Sequence, residues 1–209
     1  MSHDNPPSKV SGVILAGGLA RRMNNRDKGL IPYNGRPLVS YAMAALAAVA
    51  DQSFINANRN QEHYQAFGLP VIADQTDSFD GPLAGILTAM VHADTDVLLV
   101  MPCDSPLIKA EHLQKLLVGR AENDADIAVA FDGERLHPVF LALKTSLRSN
   151  LQDYLASGQR KMDRWLEQQK SVRVDFSSEP EIFININTLT ELSELEARAF
   201  QVGGQIDAT

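Results

Sequence analysis

In VILAGGLARRMNNRDKG (residues 13–29) an apolar run stops at Gly17-Gly18, and Arg21, Arg22, Arg26 and Lys28 then gather within eight residues. Glycine admits positive φ and lets main-chain N–H groups approach an anion with no Cβ in the way. Bare N–H groups beside clustered cations suit a polyphosphate. Two familiar loops are excluded by spacing. A P-loop needs G-x-x-x-x-G-K-[S/T], whereas Lys28 follows Asp27, and nothing after Gly18 completes G-x-G-x-x-G. The same residues also read as an ordinary strand-to-helix turn with solvated arginines.

A second chemical signal is VLLVMPCDSP (97–106), an apolar run that ends in Asp104 between two prolines. A hard cation such as Mg²⁺ prefers carboxylate and phosphate oxygens and is commonly held by one or two protein carboxylates. Asp104 suits that role, and equally suits a turn or helix N-cap before the following helical stretch. In FININT (183–188), Asn185 and Asn187 lie two apart on an expected strand, so both face one way while Ile184 and Ile186 face the other. Asparagine is a poor strand former, so either a polar ligand lies on that face or the pair closes a sheet edge. GPLAG (81–85) can open a helix with free N–H groups and little bulk, or simply allow close helix packing. Asn56 and Asp74 each end an expected strand. The five histidines show no metal-ligand spacing on one helix, which removes support for zinc. Cys103 is the only cysteine, so no internal disulfide forms, and it reads as a buried structural thiol.

These residues must be positioned by a scaffold of modest size. With 209 residues, 44% of them hydrophobic, the chain suits one α/β domain. A net charge of −7 disfavours a nucleic-acid or membrane-surface binder, since such partners reward a broad basic face. The polar, proline-containing start and the absence of a long apolar window indicate a cytoplasmic protein with no membrane span. Strands are expected at 10–16, 53–57, 70–73, 97–101, 127–131, 139–143, 172–176 and 182–186. Helices are expected at 37–50, 83–93, 110–119, 147–157 and 188–199. Their alternation predicts a mainly parallel sheet covered by helices on both faces, with ligands at its carboxyl edge. Pro37 suits a first helical position, and Thr188 with Glu191 forms a T-x-x-E capping box.

LAGG followed by RRM, DKGL and NGRPL resembles the molybdenum cofactor guanylyltransferases (MobA), a family of nucleotidyltransferases with a Rossmann-like fold. The similarity continues in the family's order through INANRNQEHYQAFGLPVIAD (55–74), GPLAGI (81–86), PCDSP (102–106), DGERLHP (132–138) and FININT (183–188), covering residues 12 to about 195. The resemblance implies a single Rossmann-like nucleotidyltransferase domain over 10–199, between a flexible N-terminus (1–9) and a C-terminal tail (200–209). It implies transfer of GMP from GTP to the terminal phosphate of Mo-molybdopterin, with release of pyrophosphate and formation of molybdopterin guanine dinucleotide. Leu15, Ala16, Gly17 and Gly18 would cradle the nucleotide by main chain, and Asn56, Asp74 and Gly81 would form the guanine pocket. Arg22 and Lys28 would face the phosphates, Asp104 would hold Mg²⁺, and Asn185 and Asn187 would hold the pterin acceptor.

LAGG with GPLAG resembles the guanine-selecting pattern, whereas cytidine-using relatives tend to have LAAG. Alternatives on the same scaffold are CMP or sugar-phosphate nucleotidyl transfer and, from another class, a non-catalytic GTP-binding module. Molybdopterin-handling proteins and apo-molybdoenzymes are the further partners implied, and a monomer is expected. The sequence departs from the family at Leu19, where relatives often carry lysine, and at Asn24-Asn25, where a glycine pair is frequent.

Overall fold

The computed structural model describes residues 9–17, 27–74 and 81–203. Gly18, Leu19, Arg21, Arg22, Asn24, Asn25 and Arg26 therefore lie outside the described residues, as do 1–8 and 204–209.

The chain begins with β1 (Val10–Leu15), followed by a two-stranded ribbon of β2 (Pro32–Tyr33) and β3 (Arg36–Pro37) and by α1 (Leu38–Ala47). Next come β4 (Gln52–Asn56), α2 (Gln61–Gln65), β5 (Val71–Ile72), α3 (Pro82–His92), β6 (Val97–Pro102) and α4 (Ala110–Glu122). The remainder is β7 (Ile127–Phe131), β8 (Leu136–Lys144), α5 (Arg148–Ala156), α6 (Met162–Glu167), β9 (Ser171–Asp175) and α7 (Leu189–Gly203). Seven strands form one sheet in the order β5-β4-β1-β6-β8-β7-β9. All neighbours are parallel except at β8, which runs antiparallel to β6 and to β7. The reversal has a local cause. Only four residues join β7 to β8, whereas a parallel crossover needs about a dozen or more.

Both faces of the sheet are covered. Ile14, Leu99, Met101 and Ala142 pack on one side with Val39 and Leu46 of α1 and Leu113 and Leu116 of α4. Val13, Leu98, Val100 and Leu141 pack on the other with residues of α3, α5 and α6. Successive side chains of a strand point to opposite faces. A strand buried on both sides must therefore be apolar throughout, which is why VLLVM carries no alternation. Chain order reverses beside β1: the path runs from β1 to β4 and β5, then returns through α3 to β6 on β1's other flank. Such a switch point opens a crevice at the carboxyl ends of the strands.

Several expected elements differ. Residues 182–186 form no strand. Pro180 opens a 3-10 turn over Pro180–Phe183, and the chain continues as a loop in which Ile186 N donates to Asp104 O at 3.0 Å. Burial overrides the β propensity of the isoleucines, because Ile182 and Phe183 enter the core beneath α4 while Ile186 packs with Ile31, Leu192 and Leu195. The last helix runs to Gly203 rather than 199, so residues 200–203 are helix rather than tail. Pro37 precedes α1 as its N-cap rather than entering it. Helices α2 and α6 and the β2–β3 ribbon were not expected. The Thr188–Glu191 capping box is present, with Glu191 N donating to Thr188 Oγ1 at 3.1 Å and Thr188 N donating to Glu191 Oε2 at 3.1 Å.

Candidate active site

The crevice holds a cavity of about 390 Å³ at the ends of β1, β4, β5 and β6, a volume within the range of small-molecule sites. Of the residues expected there, Leu15, Ala16, Gly17, Lys28, Asn56, Asp74, Gly81 and Asp104 line it. Gly18 and Arg22 lie outside the described residues. Asn185 and Asn187 do not line the cavity; Asn187 bonds to the lining Lys28, and Asn185 bonds to Ser105 beside Asp104.

Lys28 leaves the first position of a 3-10 turn (Lys28–Leu30), and its Nζ donates to Asp104 Oδ2 at 2.8 Å and to Asn187 Oδ1 at 2.6 Å. One cation therefore links the end of β6 to the loop before α7. That loop is braced further: Asn187 Nδ2 donates to Asn185 O at 3.1 Å, and Ser105 Oγ donates to Asn185 Oδ1. The two asparagines thus converge on Asp104 and Lys28 without the strand that was to align them.

At the other end of the cavity, Asp74 is surrounded by neutral donors. Asn56 Nδ2 donates to Oδ1 at 2.8 Å, Asn58 Nδ2 to Oδ2 at 2.8 Å, and Thr88 Oγ1 to Oδ1 at 3.3 Å. The Asp74 N–H in turn donates to Asn58 Oδ1 at 2.8 Å. Four polar side chains from β4, the loop after it, the end of β5 and α3 form one rigid patch. Gly85 permits this closeness, since a Cβ there would overlap Asn56 Oδ1 and lie 2.9 Å from Leu15 Cδ2. Gly81 is the N-cap of α3 with φ 75°, a conformation that favours glycine, and Pro82 follows as the first helical residue. In the glycine-rich loop, Ala16 N donates to Asn56 O at 2.8 Å, and Leu15 O accepts from Cys103 N at 3.2 Å. The Ala16 N–H is thus already engaged by the main chain of β4.

Asp27, Asn58, Pro82, Pro102, Cys103 and Val139 also line the cavity and were not assigned to it from sequence. Asn58 had a local signal, lying two residues beyond Asn56 in NAN. Burial pushes the Cys103 thiol well above its ordinary pKa, and the Asp104 charge adds to the shift. A thiol so held is a poor nucleophile, in keeping with a structural cysteine.

The oxygens of the three cavity aspartates divide by partner. Both oxygens of Asp27 and both of Asp74 accept from neutral side chains, whereas among the described residues the Asp104 carboxylate bonds only to Lys28, through Oδ2. No group of three His, Cys, Asp or Glu side chains able to cage a metal exists among the described residues. Such a donor set suits Mg²⁺ that takes one carboxylate and completes its shell with phosphates and water. Beyond the cavity, the DGERLHP turn is built around Asp132. Its Oδ1 accepts from Glu134 N at 2.9 Å and Arg135 N at 2.8 Å, and His137 Nε2 lies 2.6 Å from Oδ2. His137 stacks on Phe183, ring centroids 4.0 Å apart, and so fixes the base of the loop that carries Asn185 and Asn187.

Known proteins are similar to this chain in sequence and in fold. The family model of the MobA-like NTP transferase domain matches residues 12–173. A molybdenum cofactor guanylyltransferase of Shewanella loihica is 43% identical over 90% of this chain and 95% of its own length. One from Shewanella baltica is 45% identical over 87% and 92%. Among solved structures, molybdopterin-guanine dinucleotide biosynthesis protein A of Archaeoglobus fulgidus superposes with a TM-score of 0.76 at 22% identity, covering 91% of this chain and 99% of that one. CMP:2-keto-3-deoxy-manno-octonic acid synthetase complexed with CTP superposes at 0.70 with 15% identity, covering 93% and 99%. At these identities the two structures speak to the fold alone. No helix among the described residues is long and apolar enough to cross a membrane.

Proposed function

Because the chain belongs to the MobA-like NTP transferase family, we infer that it transfers GMP from GTP to the terminal phosphate of Mo-molybdopterin, releasing pyrophosphate and forming molybdopterin guanine dinucleotide. The observation that carries this reading is Lys28 Nζ, held at once against Asp104 and against Asn187 between a polar patch and the FININT loop. One cation touches both halves of a two-substrate site.

The reaction asks little of the protein by way of proton transfer. A phosphate monoester has its second pKa near about 6, so at neutral pH the acceptor is largely dianionic. What the site must supply is alignment with the α-phosphorus and neutralisation of charge on the departing pyrophosphate. Lys28 supplies a fixed cation there, joined by Arg22. Asp104 would hold Mg²⁺, which when bound would draw negative charge from the phosphate oxygens. Gly17 and Gly18 bring bare main chain to the nucleotide, with Leu15 and Ala16 as the wall behind. Asn185 and Asn187 hold the acceptor.

Guanine is selected at the opposite end. Its N1–H and N2–H₂ edge presents donors that a carboxylate accepts, and Asp74, locked by Asn56 and Asn58, offers an acceptor that cannot rotate to suit another base. Gly81 lines that part of the cavity with no side chain of its own, and Gly85 lets α3 pack closely against Asn56. The protein acts in the cytoplasm as a monomer. Molybdopterin-handling proteins and apo-molybdoenzymes are its further partners, and nucleic acid and membranes are not among them.

The test is a side-by-side assay of GTP, CTP and ATP with molybdopterin as acceptor. Dinucleotide and pyrophosphate should form with GTP, and with CTP or ATP at a rate lower by about 10²-fold, the discrimination that buried hydrogen-bonding groups readily supply. Equal use of CTP would overturn the guanine assignment. GTP binding without acceptor-dependent pyrophosphate release would instead indicate a binding module.

A further inference from the structure

Asp27 stands directly before Lys28, lines the cavity and is only 7% exposed. A buried carboxylate beside a polyphosphate site is electrostatically adverse, because it repels the ligand and must be hydrogen-bonded to be tolerated. Its partners come from α2 and the residue that caps it. Tyr64, fully buried in α2, donates its hydroxyl to Asp27 Oδ1, and Asn60, the N-cap of α2, donates Nδ2 to Oδ2 at 3.1 Å. Burial, followed by the nearby Cys103 and Asp27, pushes the Tyr64 phenol well above its ordinary pKa, so it remains a donor at all working pH.

The geometry has been cleared for this contact. A Cβ at Gly29 would overlap Tyr64 Oη, so only glycine after the lysine lets the phenol pass to the carboxylate. Asn60 adopts φ 51°, a left-handed conformation that asparagine tolerates, and its carbonyl accepts from Tyr64 N at 3.2 Å. The clamp therefore runs from a left-handed asparagine through one short helix to both oxygens of Asp27. Leu30 N then donates to Asp27 O at 3.1 Å, closing the 3-10 turn from which Lys28 projects.

We propose that Tyr64 and Asn60 are positioning residues for nucleotidyl transfer. By fixing both Asp27 oxygens they fix the turn that presents Lys28 Nζ between Asp104 and Asn187. An apolar pair would fill the same space without the cost of a buried carboxylate. What the hydrogen bonds add is direction: two donors on one carboxylate leave the next residue a single trajectory. This rests on the reading that Lys28 faces the phosphates.

The experiment is a double-mutant cycle of Tyr64→Phe and Lys28→Met, read as calorimetric affinity for Mg²⁺-pyrophosphate and as GMP-transfer turnover. Guanosine affinity and thermal melting serve as controls. Phenylalanine keeps the ring packing and removes only the donor. Tyr64→Phe alone should lower turnover and pyrophosphate affinity by about 10-fold with guanosine affinity unchanged, whereas in the Lys28→Met background the same change should cost less than about 2-fold, the non-additivity of groups acting through one another. The same loss in both backgrounds would overturn the proposal and leave Tyr64 a stabilising residue alone. If Tyr64→Phe fails to fold, Asn60→Gly, which keeps the left-handed backbone and removes the second donor, is put through the same cycle. Pyrophosphate affinity indifferent to Lys28→Met would overturn both the clamp and the role of Lys28, which separates the two failures.

Discussion

Asp74 and Asp104 lie just beyond strands of the same sheet and line the same cavity, yet they are partnered in opposite ways. Asp74 accepts from Asn56, Asn58 and Thr88, all neutral. Asp104 accepts from the Lys28 ammonium. A carboxylate locked by neutral donors is fixed in direction, which suits recognition of a donor-rich ligand edge. A carboxylate held by one cation through one oxygen is part of a charge balance that polyphosphate and metal can rearrange. The same residue type beyond two strands of one sheet is thus held in two ways, and the difference lies in the partners rather than in the strand ends.

The sharpest way to break this contrast is at the charged end. Asp104→Ala and Lys28→Ala should each lower GMP-transfer turnover by about 10²- to 10³-fold, the usual cost of removing one preorganised electrostatic contact. Guanosine affinity should be unchanged and the protein should remain folded. Near wild-type transfer by either purified variant would refute the division. At the neutral end, Asp74→Ala should lower kcat/KM for GTP by about 10- to 100-fold, the scale of one lost buried hydrogen-bonding group. It should narrow the preference for GTP over ATP while leaving Mn²⁺ affinity, read by electron paramagnetic resonance, as in the parent. Loss of metal binding instead would show that the two ends are one network.

Gly85→Ala tests the rigidity of the neutral patch. The added methyl would press on Asn56 Oδ1 and Leu15, with an expected loss of about 1–3 kcal/mol in denaturant unfolding and a raised KM for GTP. The smallest effect belongs to a third carboxylate, outside the cavity. The Arg135 N–H, then His137 and the Glu134 N–H, hold the Asp132 carboxyl well below the usual range. A depressed folded-state pKa contributes stability that is fully present above the unfolded value of about 3.9 and is lost as pH falls through the lower folded value. The difference in melting temperature between the parent and Asp132→Asn should therefore be greatest near about pH 6 and shrink toward about pH 2. A constant difference would mean that the turn does not depend on the ionised carboxylate.

Much of the scaffold was legible because its causes are local. The apolar run of β6, the glycine before α3 and the capping box at Thr188 each act within a few residues. The FININT segment misled for the same reason. Its isoleucines carry β propensity, but Pro180 and two separate hydrophobic clusters take the side chains elsewhere. Helix α6 had a signal in Met162, Trp165 and Leu166, all buried at helical spacing. Helix α2, with only Tyr64 buried, had almost none.

The sequence by itself determined where strands end in glycine, asparagine or aspartate, and so which residues could meet at the carboxyl edge of a sheet. Only the tertiary structure decided who partners whom. Lys28 reaches Asp104 across 76 positions and Asn187 across 159, and Asp27 meets Tyr64 across 37. Periodicity and capping extend over a few residues, while the field at a carboxylate is set by whatever the fold brings within a few ångströms. For that reason Asp74 and Asp104, alike in the chain, are unlike in the molecule.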